Sequence, residues 1–330
     1  MIRFGIIGTN WITDRLIEAA RQVEGFELTA VYSRTEEQGK SFQHKHSIPH
    51  LYTNLEQFAA SKEFDAVYIA SPNSLHAEQS ILCMNHGKHV LCEKPVASNA
   101  REFEGMIEAS RRNNVLLMEA LKSTLQPNFK AIQDNLHKIG PVRRYFASFC
   151  QYSSRYDAYK EGTVMNAFKP ELSNGSMMDI GIYCIYPMVV LFGKPEAVKA
   201  SGVMLDSGVD GSGSLLVSYK DLDGMMMHSK ITNSHVPSEI QGEKGSIMIS
   251  KISQLSGLEI RYNDGTVESI AQPQVENTMF YEVQHFVELL QNGLVESPIN
   301  TFANSTITLE IMDEARKQLG IVYPADSLSL

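Results

Sequence analysis

Over the first 120 residues, short apolar runs alternate with stretches whose apolar residues recur at helical spacing. Ile2 to Ile7, Leu28 to Tyr32, Ala66 to Ala70, His89 to Cys92 and Val115 to Met118 are apolar and too short for helices, so each reads as a strand. Between them, Ile12 to Val23 carries Leu16, Ile17, Ala20 and Val23 on one helical face, and Glu36 to His44, Leu75 to Asn85 and Ala100 to Arg112 read as further helices. Gly87 supplies a helix stop. Strand and helix in alternation predict a doubly wound, six-stranded parallel sheet in which these five runs leave the third strand undelimited, a Rossmann domain over residues 1–121.

After Leu121 the pattern changes. Val142 to Tyr152, Ala197 to Leu205, Ser214 to Tyr219, Met225 to Thr232, Ser246 to Ser250 and Leu258 to Tyr262 read as strands, separated by turn signals such as Asp223-Gly224 and Asp264-Gly265. Helical stretches at Leu125 to Leu136, Met178 to Leu191, Tyr281 to Gln291 and Ala303 to Leu319 complete an α+β domain over 122–330, with a largely antiparallel open sheet covered on one face.

The chain has 330 residues, enough at roughly 100 to 200 residues per domain for about two domains with substantial cores. With 29 Lys and Arg against 38 Asp and Glu the formal charge is -9, and no basic run is long enough to track a phosphate backbone, so nucleic acid is not an expected partner. The longest mostly apolar stretch, Tyr183 to Phe192, is interrupted by Pro187 and falls short of the roughly 18 residues of a membrane span. The N-terminal apolar run stops at Gly8, without the core of a secretory signal. A cytoplasmic protein is expected, and Cys83, Cys92, Cys150 and Cys184, which lack CxxC spacing, read as reduced thiols.

The first strand runs into Gly8-Thr9-Asn10-Trp11-Ile12-Thr13, where Gly8, Asn10 and Thr13 take the three positions of a GxGxxG dinucleotide fingerprint. Only the first is glycine. Asn10 tolerates positive φ and offers an amide to phosphate, Thr13 implies a slightly wider helix contact, and Trp11 either packs on the cofactor or is buried. At the end of the second strand, where an acidic residue would bind the ribose of NAD, stand Ser33 and Arg34; a guanidinium with a neighbouring hydroxyl suits the 2′-phosphate, which favours NADP over NAD. Ser71, Pro72, Asn73 and His76 follow the fourth strand and Glu93, Lys94 and Pro95 the fifth, at the sheet edge where ligands bind. In the second domain Asp179 and Tyr183 lie four residues apart in one helix and so share a face. His44, His46 and His50 crowd together, but their faces and Pro49 argue for a solvated helix end, and no metal site is assigned. Met225, Met226 and Met227 read as packing residues.

The order of GIIGTNW, SPNSLH, EKP and MMDIGIY, with QGEKGSIMI and FYEVQHFVELLQNG later, resembles the glucose-fructose oxidoreductase, inositol dehydrogenase and MocA (Gfo/Idh/MocA) family over nearly the whole chain. Tyr183, where many members carry histidine, points to the branch resembling dimeric dihydrodiol dehydrogenase. The resemblance implies NADP(H)-dependent hydride transfer to or from a secondary alcohol of a sugar, cyclic polyol or vicinal diol, and a homodimer or homotetramer formed through the second-domain sheet. Lys94, Asp179 and Tyr183 would be catalytic, with Tyr183 or Lys94 carrying the proton and Asp179 orienting substrate or lysine; Gly8, Thr9, Asn10, Trp11, Ile12, Ser33, Arg34, Ser71, Pro72, Asn73, His76, Glu93, Lys94 and Pro95 would hold the cofactor. The sequence departs from the family at Asn10, Thr124, Asn166 and Asn174, which bears on the substrate more than on the reaction type. The competing reading is a catalytically silent dinucleotide-binding regulator of the same fold.

Overall fold

A computed structural model describes residues 1–327. The first compact unit holds β1 (Ile2–Ile7), α1 (Trp11–Ala20), β2 (Phe26–Tyr32), α2 (Glu36–His46), β3 (His50–Tyr52), α3 (Leu55–Ala59), β4 (Ala66–Ile69), α4 (His76–Asn85), β5 (His89–Glu93), α5 (Ala100–Asn113) and β6 (Leu117–Ala120). Its strands lie in the order β3-β2-β1-β4-β5-β6 and every pair is parallel. Helices on both faces explain the unbroken apolar runs: all four residues of β4, Ala66 to Ile69, are buried. The expected Rossmann architecture is present, with the reversal of strand order between β1 and β4. The edge strand β3 was not delimited from the sequence, because three residues with a leading histidine make no apolar run.

Helix α2 runs two residues past the expected His44. His46 is buried, packs on Phe42 at 4.5 Å between ring centroids and lies 2.7 Å from Asp14 through Nε2. The solvated helix end expected from the sequence therefore holds for the exposed His44 and not for His46.

The second unit contains α6 (Pro127–Asn135), β7 (Val142–Cys150), α7 (Ser154–Lys160), α8 (Ile182–Phe192), β8 (Ala197–Met204), β9 (Asp210–Ser218), β10 (Asp223–Ser229), β11 (Ser238–Gly242), β12 (Gly245–Lys251), β13 (Ser256–Tyr262) and β14 (Val267–Ser269). Two helices follow, α9 (Met279–Gln291) and α10 (Phe302–Leu319). The sheet order is β14-β13-β12-β11-β7-β10-β9-β8, antiparallel except for the parallel pair β7 and β10. The short strands β11 and β14 and the helix α7 are additions to the sequence reading; β11 buries one large apolar side chain deeply, Ile240, and so leaves little pattern.

The sequence reading drew one boundary, after residue 121, whereas Val275–Phe302 packs with the first unit and the chain from Ala303 onward with the second. Helix α9 lies on α1: Phe286 meets Phe4 at 5.8 Å and Asn277 Nδ2 donates to the Arg15 carbonyl at 2.8 Å. A second correction concerns apolar length. The stretch Pro170–Phe192, helical apart from a break at residues 173–175, is long and apolar enough, by length and composition, to cross a bilayer, and 67% of its most apolar window is buried inside the protein. That burial is the position of a core helix packed on β7 and β10.

Candidate active site

In the first unit the fingerprint turn closes on the switch point. Gly8 ends β1 at φ +109, and a Cβ there would stand 2.6 Å from the Ala70 carbonyl oxygen just beyond β4, so only glycine fits. Asn10 is the N-cap of α1 with φ -110; its Oδ1 accepts from the N–H groups of Ile12 (3.0 Å) and Thr13 (3.3 Å), and its Nδ2 donates to the Ala70 carbonyl at 2.8 Å. Positive φ and a phosphate-facing amide, the two reasons offered for Asn10, are thus replaced by a cap that ties β1 to β4. Thr13 is buried and its Oγ1 donates to the Gly8 carbonyl at 3.0 Å, so a hydroxyl fills the helix–strand contact. Trp11 is 62% exposed, which removes the burial reading. Among the described residues the N–H groups of Asn10 and Trp11 meet no acceptor. Ser33 is buried after β2, its N–H donating to the Tyr52 carbonyl at 3.0 Å, while Arg34 is exposed and pairs with no carboxylate among the described residues.

The loops after β4 and β5 are bound to each other. His76 is buried, with Nδ1 2.9 Å from the Pro95 carbonyl and Nε2 2.9 Å from the Ser71 carbonyl. Burial lowers the pKa of its imidazole, and the two carbonyl contacts pull it upward. Ser71 Oγ donates to Gln79 at 2.7 Å; Ser71, Pro72 and Asn73 are partly exposed. The Lys94–Pro95 peptide is cis, and the buried Glu119 of β6 accepts the Val96 N–H at 3.0 Å. Glu93 is buried, accepts from the Tyr68 hydroxyl, and takes the Lys94 N–H on Oε2 at 3.2 Å. Burial raises its pKa, against the opposing charges of Lys94 and Lys122. Glu282 of α9 is 1% exposed with no hydrogen-bond partner on either carboxyl oxygen among the described residues, and burial together with the charge of Glu93 raises its pKa well above the usual carboxylate range. The sequence reading missed Glu119, Lys122 and Glu282, whose relation to Glu93 and Lys94 is purely tertiary.

In the second unit Asp179 and Tyr183 are present in the expected helical segment, but its first turn, Met177–Gly181, is a π-helix that leads into α8. Their four-residue spacing therefore spans the change from wide turn to α-helix. Asp179 receives a short ion pair from the buried Lys230, and the partly exposed Tyr183 ring meets Phe149 edge-on at 5.8 Å. Under the turn lies a buried polar cluster: Asp210 Oδ2 accepts the Met177 N–H at 2.7 Å, and His228 Nδ1 is 3.0 Å from Ser176 Oγ and 3.5 Å from Asp210 Oδ2. Serine, histidine and aspartate are the residue types of a nucleophilic triad, yet both partners sit on the same ring nitrogen and all three are buried. The cluster supports the turn. Asn174 bonds the Gly175 N–H at 3.0 Å through Oδ1, and Gly175 has φ +151 with space that a Cβ would take 2.3 Å from Asp210 Oδ1. Of the other departures, Thr124 is buried and Asn166 exposed.

Asp210 gives a pH prediction. Burial raises its pKa to about 7, whereas the unfolded chain titrates near 3.9. A raised folded value means that its stabilising contribution is whole below about pH 3.9 and is lost as pH rises through about 7, at up to about 1.4 kcal/mol per unit. Asp210→Asn, which cannot ionise, should gain in Tm relative to the unmodified protein between pH 4 and 7.5. A Tm difference that stays flat across that range would show that Asp210 does not titrate there. His228, pushed down to about 3 by burial, acts in the opposite sense, losing stability as pH falls from about 6.5 toward 3, so the difference between variants is the quantity to read.

Residues 2–121 match the oxidoreductase family GFO_IDH_MocA with its NAD-binding Rossmann fold, and residues 132–248 match the GFO/IDH/MocA C-terminal domain. The chain belongs to the Gfo/Idh/MocA family of oxidoreductases. Within that family it is 60% identical over 326 residues, 99% of each chain, to scyllo-inositol 2-dehydrogenase (NADP(+)) IolU of Bacillus subtilis (strain 168). It is 32% identical to trans-1,2-dihydrobenzene-1,2-diol dehydrogenase of Xenopus laevis, covering 98% of this chain and 99% of the other. Among solved structures, aldose-aldose oxidoreductase from Caulobacter crescentus complexed with glycerol superposes with a TM-score of 0.84 at 23% identity, over 96% of this chain and 97% of that one, a likeness of fold. The family resemblance read from the motifs, the two-sheet architecture and the oxidoreductase class all stand.

Proposed function

We propose that this oxidoreductase transfers hydride between NADP(H) and a secondary alcohol of a cyclic polyol or sugar, with scyllo-inositol the first substrate to test. The observation that carries the reading is 60% identity along 99% of both chains with an NADP-dependent scyllo-inositol 2-dehydrogenase. The chain's own residues fit the cofactor. Gly8 leaves room that any Cβ would fill, the N–H groups of Asn10 and Trp11 open at the positive end of α1 beside Thr9 and Ile12, and Arg34 stands exposed at the end of β2. Ser71, Pro72, Asn73, His76, Glu93, Lys94 and Pro95 are offered as the rest of the cofactor-binding set, with His76 and Glu93 acting as braces. The nicotinamide supplies the hydride chemistry when bound.

Lys94, Asp179 and Tyr183 are the proposed catalytic residues. The Tyr183 phenol exchanges the proton of the reacting hydroxyl, with Lys94 the alternative proton carrier, and Asp179 orients the substrate. The same reading makes the enzyme cytoplasmic, with no nucleic-acid or membrane partner, and a homodimer or homotetramer through the outer sheet face, where Leu216 and Met225 pair in register and are exposed.

Arg34→Ala tests the cofactor choice. Charge-assisted hydrogen bonds are worth about 1.5 to 3 kcal/mol, so NADPH affinity should fall roughly ten- to a hundredfold while NADH affinity barely changes. Fluorescence titration with both cofactors measures this, and equal losses would remove the argument for a 2′-phosphate at Arg34. A screen of inositols and aldoses that follows NADPH absorbance tests the substrate class.

A further inference from the structure

Lys230, the residue after β10, is 4% exposed, and an ammonium so placed is costly to bury unless it is paired. Its backbone is fixed from both sides. The N–H donates to the Gly211 carbonyl at 2.9 Å, and its own carbonyl accepts the Ser153 N–H at 2.9 Å, extending the parallel β7–β10 pairing. From that anchored stem Nζ reaches Oδ2 of Asp179 and lies 6.0 Å from the centroid of the Phe168 ring. The stem thus joins the end of an interior strand, β10, to the π turn that carries Asp179.

We propose that Lys230 is a positioning residue for the dehydrogenase reaction: it holds the Asp179 carboxylate ionised and in one orientation for the substrate. The proposal rests on the reading of Asp179 as a residue of the active site. Lys230 itself touches no reacting atom. A neutral side chain at 230 would remove this charge partner from Asp179, while Asp210 and His228 would still brace the turn from beneath. Among the described residues, Asp210 of β9 feels the charge of Lys230, His228 of β10 stands 3.5 Å from Asp210, and Tyr323 and Arg316 lie beyond it.

The test uses the full chain with NADP(+) and scyllo-inositol, and the variants Lys230→Gln, Lys230→Met, Lys230→Arg, Asp179→Asn and Lys230→Gln with Asp179→Asn. Lys230→Gln should lower kcat/KM about ten- to a hundredfold, the scale set by a charge-assisted hydrogen bond, and move the acid limb of its pH profile upward. Lys230→Arg should recover most of the rate, NADPH affinity should stay within about twofold throughout, and Gln at 230 should add less than about twofold once Asp179 is Asn. A 13C titration of the Asp179 carboxyl reads its ionisation without turnover and should move upward in Lys230→Gln. If Lys230→Met does not fold, Lys230→Gln, which keeps a donor and loses the charge, carries the same comparison. A lowered Tm with unchanged kcat/KM and pH profile would make Lys230 a structural strut and overturn the proposal, as would additive losses in the double variant. A fully active Asp179→Asn would instead sink the reading of Asp179 beneath it, so the two failures separate.

Discussion

Lys94→Met is expected to lower kcat by at least about 10³-fold while NADPH affinity stays within about threefold. General acid–base and electrostatic groups that act in the transition state each contribute about 10²- to 10⁴-fold, and a lysine proposed to serve both the proton and the charge belongs at the upper part of that range. Cofactor binding should survive because the backbone of the loop is held by contacts that do not involve the Lys94 ammonium. The Pro95 carbonyl is held by His76, the Val96 N–H by Glu119, and the Lys94 N–H by the Glu93 carboxyl. Methionine keeps the apolar stem, one heavy atom shorter, and removes the terminal ammonium with its charge and donors. Steady-state kinetics beside fluorescence titration of NADPH separates the two effects. If affinity fell as far as the rate, Lys94 would be a binding residue and the catalytic assignment would be wrong.

Tyr183→Phe is the second large effect. The ring, its edge-on contact with Phe149 and the helix are kept, and only the phenol oxygen is lost. With the phenol as proton carrier, kcat should drop about 10²- to 10⁴-fold, about 2.7 to 5.4 kcal/mol of barrier, with Tm nearly unchanged. In the oxidation direction the rate should rise with pH as the phenol ionises, and the Phe variant should lose that limb. A Phe variant with a near-normal rate and an unaltered pH profile would return the proton to Lys94 and leave Tyr183 as a packing residue.

The first unit was legible because a parallel sheet covered on both faces writes itself as apolar runs, and Ala66 to Ile69 is the clearest case. What the sequence concealed were relations set by tertiary contact. Nothing local distinguishes an Asn10 that caps α1 and grips the Ala70 carbonyl from one that faces a phosphate. Trp11 looked suited both to burial and to packing on the cofactor, and its exposure decides against burial. Glu282 lies about 190 residues from Glu93 in sequence, and only the return of α9 to the first unit brings it near that carboxylate. Lys230 carries a signal in the sequence. In the strand run Met225 to Thr232, the residues Met226, His228 and Lys230 share one parity, and all three are buried, so the period of two already placed the lysine on the inward face. A charged residue on that face calls for a partner, and Asp179 is that partner.

Direct transfer of hydrogen from a ring carbon to the cofactor is the central claim, and scyllo-inositol deuterated on its ring carbons tests it in one measurement. Incubation with NADP(+) should yield reduced cofactor with absorbance near 340 nm that carries one deuterium at nicotinamide C4, read by mass spectrometry and NMR, with formation slowed relative to unlabelled inositol where hydride transfer limits the rate. Reduced cofactor without deuterium, or tight NADP(H) binding with no reduction by any inositol or aldose, would contradict it.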